Sequence, residues 1–186
     1  MWKSRREAKK ICAYSQSIIS IFKPEHALYT NLHPNAQYFG HPLTDTMPTV
    51  SPSAFPKKPQ ITLLPGSRPQ EFQLYLKKML QTLSYLQHDF PNLSVSLPLS
   101  AAHYRPVIES YLAHYPQLNI HIESLPSSSI IAKSSLVLAA SGSVTLEAIL
   151  LRRPLIVYAA LPPLTYFLAK YILRLNLPYI SLPNFL

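Results

Sequence analysis

Ile61-Thr62-Leu63-Leu64-Pro65-Gly66-Ser67-Arg68-Pro69-Gln70-Glu71-Phe72 is the stretch whose reading decides the fold. A short apolar run, Ile61 to Leu64, is stopped by Pro65 and Gly66, and a helical pattern opens at Pro69. From Pro69 to Gln87, the residues Phe72, Leu76, Met79, Leu80, Leu83 and Leu86 fall on one helical face. A buried strand that turns sharply into an amphipathic helix is the opening of a strand–helix–strand unit. The same alternation then continues. The spacing predicts strands at Leu93 to Leu97, Leu118 to Ile122, Leu136 to Ala140 and Leu155 to Tyr158. Between and after them it predicts helices at Arg105 to Tyr115, Ser128 to Lys133, Ser143 to Leu151 and Leu164 to Leu175. Strands alternating with helices imply an α/β fold, with a parallel sheet of at least five strands covered on both faces. No internal repeat of fixed period is visible.

Towards the N-terminus, Pro48, Pro52, Pro56 and Pro59 punctuate residues 44 to 59, which read as a linker or surface loop. Before it come a strand at Ser17 to Phe22, a helix from Pro24 to Leu32 and a strand at Gln37 to Phe39 that ends at Gly40. Towards the C-terminus, the apolar stretch Leu155 to Leu173 is long enough to span a bilayer. However, Pro162-Pro163 interrupts it and Lys170 lies within it, so it reads as strand, turn and amphipathic helix.

Composition narrows the class. The 186 residues suit one domain with a short extra segment, and 48% are hydrophobic, enough for a sizeable core. The single cysteine, Cys12, excludes an internal disulfide and a cysteine-based metal cluster, and suits a reducing compartment. The formal charge is +9 and unevenly placed. Lys3, Arg5, Arg6, Lys9 and Lys10 crowd the first ten residues, and Arg152, Arg153, Lys170 and Arg174 follow the last acidic residue, Glu147. Such an excess attracts a polyanion, an anionic membrane or a phosphorylated ligand, and charge alone does not choose among them. No signal peptide is visible behind the basic start.

Chemistry gathers around the glycines, of which there are only 3. Gly40, Gly66 and Gly142 each come within two residues of the end of an expected strand, where open parallel sheets bind ligands. Scarce glycine suggests positions where a side chain cannot sit. After Gly66, Ser67 can cap the following helix, with Gln70 completing a capping box, and Arg68 offers a rigid fork suited to phosphate. A capped helix with a solvated arginine is the competing reading. After Ala140, the run Ser141-Gly142-Ser143-Val144-Thr145 presents backbone amides at a helix start, a ready anion site. Glu147, about one turn in, can accept hydrogen bonds from two sugar hydroxyls or merely complement the helix dipole. His41, beside Pro42, reads as structural rather than proton-transferring, and the other histidines show no metal-ligand spacing. The stretch Tyr158 to Tyr171 reads as core; the alternative is that Leu161, Leu164, Phe167 and Leu168 touch acyl chains or a membrane.

In order, these motifs resemble the lipid-A-disaccharide synthase family. The resemblance is carried by Trp2-Lys3-Ser4-Arg5-Arg6 with Lys9-Lys10, Phe39-Gly40-His41-Pro42-Leu43, and Leu64-Pro65-Gly66-Ser67-Arg68 with Glu71. It continues through Ala140-Ser141-Gly142-Ser143, Thr145-Leu146-Glu147-Ala148, Pro163-Leu164-Thr165-Tyr166 with Lys170, and Pro178-Tyr179-Ile180-Ser181-Leu182-Pro183-Asn184. The resemblance implies an inverting glycosyltransferase of two Rossmann-like domains, the GT-B architecture. It implies UDP-2,3-diacylglucosamine as donor, 2,3-diacylglucosamine 1-phosphate (lipid X) as acceptor, and the β-1,6 disaccharide of lipid A plus UDP as products. No cofactor and no metal are expected, so cationic side chains and backbone amides must stabilise the leaving diphosphate.

Carried over by position, the catalytic residues are Arg68, facing the diphosphate, and Asn184, near the donor. Gly66, Ser67, Ser141, Gly142, Ser143 and Thr145 line the donor site, and Glu147 holds the ribose. Residues 1–59 are then a remnant of the N-terminal domain with its linker, packed poorly or mobile, whose strands lack the partners they would have in the full protein. Residues 60–186 are the UDP-sugar domain, shortened at its C-terminus. The general base lies in the part of the family pattern that precedes Trp2. Expected partners are the two lipid substrates, the missing N-terminal domain and an anionic inner-membrane surface, with a cytoplasmic, peripherally attached location. Alternatives are another UDP-sugar enzyme of the same architecture or a non-catalytic nucleotide- or lipid-binding fragment. A nucleic-acid binder finds no motif in its favour, because aromatics are not interleaved with the basic residues.

Overall fold

The computed structural model describes residues 5–47 and 58–160. These stretches belong to two compact units. The smaller contains α1 (Arg5–Tyr14), β1 (Ile18–Ser20), α2 (Lys23–Thr30), β2 (Ala36–Tyr38) and α3 (Leu43–Thr46). β1 and β2 pair in parallel, Ile18 opposite Ala36 and Ser20 opposite Tyr38, with α2 as the crossover. Its small core is Ala8, Ile18 and Tyr29, with Ile11, Cys12, Leu28, Leu32 and Ala36 packed around it. The two expected strands therefore find each other rather than standing unpaired. Tyr14, Ile19 and Phe39 remain 91%, 67% and 70% exposed, so the packing of this unit is thin. The basic start proves to be a helix. Ala8, Ile11 and Cys12 lie one turn apart and face the core, while Arg5, Arg6, Lys9 and Lys10 are exposed.

The larger unit holds β3 (Gln60–Leu64), α4 (Pro69–Asp89), β4 (Ser94–Pro98), a 3-10 turn (Ala102–Tyr104), α5 (Arg105–Leu112), β5 (Ile120–Glu123), α6 (Ser127–Ile131), β6 (Leu136–Ala140), α7 (Val144–Leu150) and β7 (Leu155–Tyr158). All five strands are parallel, in the order β5-β4-β3-β6-β7. The α/β class and five-stranded parallel sheet expected from the alternation are both present. The order runs outward from β3 to β5, then returns to the other side of β3 for β6. Right-handed crossovers put α4 and α5 on one face and α6 and α7 on the other, and each pair is in contact. β3, at the centre, is buried along Ile61–Leu64, because helices cover both of its faces.

α4 supplies most of the covering. Pro69 sits at its first position, where a missing N–H costs nothing. Phe72, Leu76, Met79, Leu80 and Leu83 are each 2% exposed or less and pack on Ile61, Leu63, Val95 and Leu97. Each such side chain is stabilised by roughly 1.5–3 kcal/mol on burial. The polar exceptions in the core are paired. The Thr62 and Ser134 hydroxyls hydrogen-bond to each other, and Ser134 also donates to the Ile130 carbonyl at 3.0 Å, tying the turn before β6 to the central strand. α7 ends in a left-handed residue, Arg152 (φ 52°). Its N–H reaches the Ile149 carbonyl and the Arg153 N–H reaches that of Ala148, the Schellman pattern that normally employs glycine. Arg153, 4% exposed, donates its guanidinium to the Ala132 carbonyl and so links the end of α7 to α6.

Among the described residues no helix is long and apolar enough to cross a membrane. The expected helix at Leu164 to Leu175, the Pro178 to Asn184 motif, Trp2 and most of the proline-rich linker lie outside the described residues.

Candidate functional site

A strand order that reverses direction leaves a crevice at the switch point, outside the carboxyl ends of the two strands that diverge there. Here those strands are β3 and β6. The segments following both line one cavity of about 610 Å³, together with those after β4 and β5. That volume suits a ligand of nucleotide size. Its described walls include Gly66, Ser67 and Arg68 after β3, Leu99 and Ser100 after β4, Ser124 to Ser127 after β5, and Ser141, Gly142, Ser143, Val144 and Glu147 after β6.

The turn after β3 differs from the sequence expectation. Gly66 does need its freedom, with φ at +93° and the position of a Cβ 3.4 Å from that of Ala140. Ser67, however, does not cap α4. Proline takes the first helical position, so the N-cap falls on Arg68 and Ser67 lies outside the helix with no capping bond. The residue before a proline favours extended backbone, and Arg68 has it (φ −85°, ψ 127°). Ser67 is fixed instead by its carbonyl, which accepts a 2.6 Å hydrogen bond from the Tyr104 hydroxyl. Tyr104 is itself held against Phe72, ring centroids 4.2 Å apart. Arg68 is exposed and lines the cavity.

The turn after β6 also departs in part. Gly142 has no positive φ, and a Cβ built on it would meet nothing within 4 Å. Its openness, rather than conformational need, distinguishes it from Gly66. Thr145, expected to line the site, is fully buried: its N–H (3.2 Å) and hydroxyl (2.6 Å) both donate to the Gly142 carbonyl. Thr145 braces the turn and does not reach the cavity. The Leu146 amide is similarly bonded to the Ser143 carbonyl. Among the described residues, that leaves the amides of Gly142, Ser143 and Val144 without a protein acceptor. Ser141 donates its amide to the Tyr158 carbonyl at 3.3 Å, joining this turn to β7. Glu147 is half-buried in the first turn of α7, and its Oε2 accepts a 2.8 Å hydrogen bond from the Ser127 hydroxyl.

Gly66, Ser67, Arg68, Ser141, Gly142, Ser143 and Glu147 thus come to one cavity, and Asn184 lies outside the described residues. Arg68 is the only cation and Glu147 the only carboxylate among the described lining residues. His41, in the smaller unit, accepts the Leu43 amide on Nδ1 at 3.2 Å and packs on Phe22, a structural placement. Among the described residues no three of His, Cys, Asp and Glu gather into a metal site. Sequence reasoning missed Ser127, Tyr104 and the Leu99-Ser100 wall. The signal was present, since Leu99 and Ser124 each follow an expected strand end, but it was sought only at glycines.

Fold and site together define a doubly wound α/β protein with a nucleotide-sized crevice at its switch point. The sequence profile of the lipid-A-disaccharide synthetase family matches residues 1–186, and the chain belongs to that family. The lipid-A-disaccharide synthases of Synechocystis sp. and Vibrio campbellii are each 30% identical to it, over 97% and 100% of this chain. The same alignments cover 48% and 50% of those proteins, so the chain spans about half the length of the curated relatives it matches. Among solved structures, a mutant Staphylococcus aureus TarM in complex with UDP superposes with TM-score 0.54 at 10% identity, over 88% of this chain and 34% of that one. The accessory secretory protein 1, 2 and 3 structure of Streptococcus pneumoniae gives 0.55 at 15% identity, over 84% and 34%. At such identities the likeness concerns the fold alone. That fold is the Rossmann-like sheet expected for one half of a GT-B glycosyltransferase.

Proposed function

We propose that residues 60–186 form the donor-binding part of a lipid-A-disaccharide synthase, with residues 1–59 belonging to its N-terminal domain and linker. The reaction is transfer of 2,3-diacylglucosamine from its UDP conjugate to lipid X. The acceptor hydroxyl attacks the donor's anomeric carbon, the bond from that carbon to the diphosphate oxygen breaks, a β-1,6 linkage forms and UDP leaves. The acceptor proton must pass to a general base, which this proposal does not assign to any cavity residue. What the cavity residues do is hold the leaving group. Arg68 pairs with the diphosphate, and the amides of Gly142, Ser143 and Val144 donate hydrogen bonds to the remaining phosphate oxygens. Hydrogen bonds to ionised phosphate strengthen as negative charge develops on it, so the same contacts lower the barrier to departure. Glu147 accepts the ribose hydroxyls. Asn184 is assigned to the donor sugar on the family resemblance alone.

The observation that carries this reading is the meeting of Arg68 and Glu147, from turns far apart in sequence, in one crevice at the switch point of a chain of this family. Calorimetric titration tests it. Arg68→Ala should weaken both UDP and inorganic pyrophosphate, because its partner is phosphate. Glu147→Ala should weaken UDP by roughly ten- to a hundredfold, the loss of about 1.5–3 kcal/mol in hydrogen bonds to a charged group, and leave pyrophosphate unchanged. A Glu147→Ala variant with full UDP affinity removes the ribose assignment. Because both substrates carry acyl chains, the complete enzyme works at an anionic, cytoplasmic membrane face. The four exposed cations of α1 support that location.

A further inference from the structure

We propose that Ser127 is a positioning residue, which fixes the Glu147 carboxylate so that one of its oxygens is presented to the nucleotide's ribose. This rests on the reading of Glu147 given above.

Ser127 and Glu147 come from different elements, α6 and α7, and both line the cavity. Ser127 is the first residue of α6, directly after the N-cap Pro126, so its hydroxyl is not placed to cap its own helix. It crosses instead to Glu147 Oε2 at 2.8 Å. A hydroxyl has one proton to give and an ionised carboxylate only accepts. The bond therefore occupies one site on Oε2 and holds the side chain's outer torsions, leaving Oε1 as the oxygen for a ligand. An unrestrained glutamate must lose its rotamer freedom when the ribose arrives, whereas one already tied to Ser127 has lost it beforehand. The effect belongs to the ribose hydroxyls and to nothing else in the ligand, so the inference can be separated from a general loosening of the site.

Titrating the 186-residue chain with UDP, 2′,3′-dideoxy-UDP and pyrophosphate gives the test. The parent chain should prefer UDP over its dideoxy analogue. Ser127→Ala should weaken UDP about three- to tenfold, the cost of immobilising one long side chain on binding, and leave the other two ligands unchanged. Ser127→Thr, which keeps the hydroxyl, should restore UDP affinity. With Glu147→Ala as background, Ser127→Ala should add nothing, because a pair that acts as a unit is non-additive. If Ser127→Ala keeps the full preference for UDP, weakens all three ligands alike, or is not rescued by threonine, the positioning role is wrong. The reading beneath it fails differently: a parent chain that ignores the ribose hydroxyls, or a Glu147→Ala variant that still discriminates, overturns the ribose assignment itself.

Discussion

Gly66 and Gly142 occupy equivalent places after β3 and β6, yet they are kept for different reasons, and the difference is measurable. At Gly66 the backbone lies at φ +93°, where a side chain costs about 1–2 kcal/mol. Gly66→Ala should lower unfolding stability by that amount in a urea titration. At Gly142 the backbone is ordinary and the space beside it open, so Gly142→Ala should leave the urea midpoint unchanged. Equal losses at both glycines would mean that the turn geometry assigned here is wrong. This distinction was not visible in the sequence, where both residues simply follow a strand by two positions. The arginine and the carboxylate were visible, because each follows one of only 3 glycines at an expected strand end, Arg68 two residues after Gly66 and Glu147 five after Gly142. Ser127 and Tyr104 were not, because a serine among serines and a tyrosine among twelve carry no local mark. Their roles arise only from long-range contacts, to Glu147 and to the Ser67 carbonyl.

Among the elements, α4 carries the strongest periodic signal and the largest share of the core. Leu80, with no exposed area, sits mid-helix against the sheet. Leu80→Ala should cost about 2–5 kcal/mol through lost burial and an unfilled cavity, whereas Leu74→Ala, on the 43% exposed side, should fall within about 0.5 kcal/mol of the parent. The end of α7 offers the opposite sign. Arg152 occupies a left-handed position that glycine fills without strain, so Arg152→Gly should raise stability by up to about 1 kcal/mol. Thermal or urea unfolding of the three variants checks all of this, and a destabilised Arg152→Gly would show that the arginine side chain contributes more than its backbone strain takes away. β3, β6 and β7 were legible because strands covered on both faces read as near-continuous apolar runs, and β4 and β5 because apolar residues alternate through Leu93 to Leu97 and Leu118 to Ile122. Boundaries shifted by up to two residues at most ends, and by three at the end of α5, where the C-cap at Ala113, not the apolar pattern, sets the limit. α1 was missed for a physical reason. Its apolar side is only Ala8, Ile11 and Cys12, too small a stripe to stand out among five nearby cations. α3 was read as loop because four residues are too few to show a period.

At the scale of the whole molecule, charge and length make separate demands. The cations Arg5, Arg6, Lys9 and Lys10 are all exposed on α1, and each near an anionic surface contributes about 1 kcal/mol that fades as salt is added. The chain should therefore cosediment with anionic vesicles at low salt, and not with neutral ones. Equal binding to both kinds of vesicle would exclude this electrostatic attachment. Turnover is a different matter. Under the reading proposed above, the cavity supplies a phosphate cradle and a carboxylate for the ribose, and Glu147, the single carboxylate among its described lining residues, is already engaged by Ser127. A general base must meet the acceptor hydroxyl at hydrogen-bond distance, with donor and acceptor held in line. The relatives that bear the synthase name are about twice this length. The 186-residue chain by itself is thus expected to bind UDP and form no disaccharide from UDP-diacylglucosamine and lipid X. A product assay run beside UDP titration decides. Binding without product fits a donor-recognition unit. Product formed by this chain alone would place both a working base and an acceptor site within these residues, and the assignment of cavity groups to leaving-group stabilisation alone would have to be abandoned.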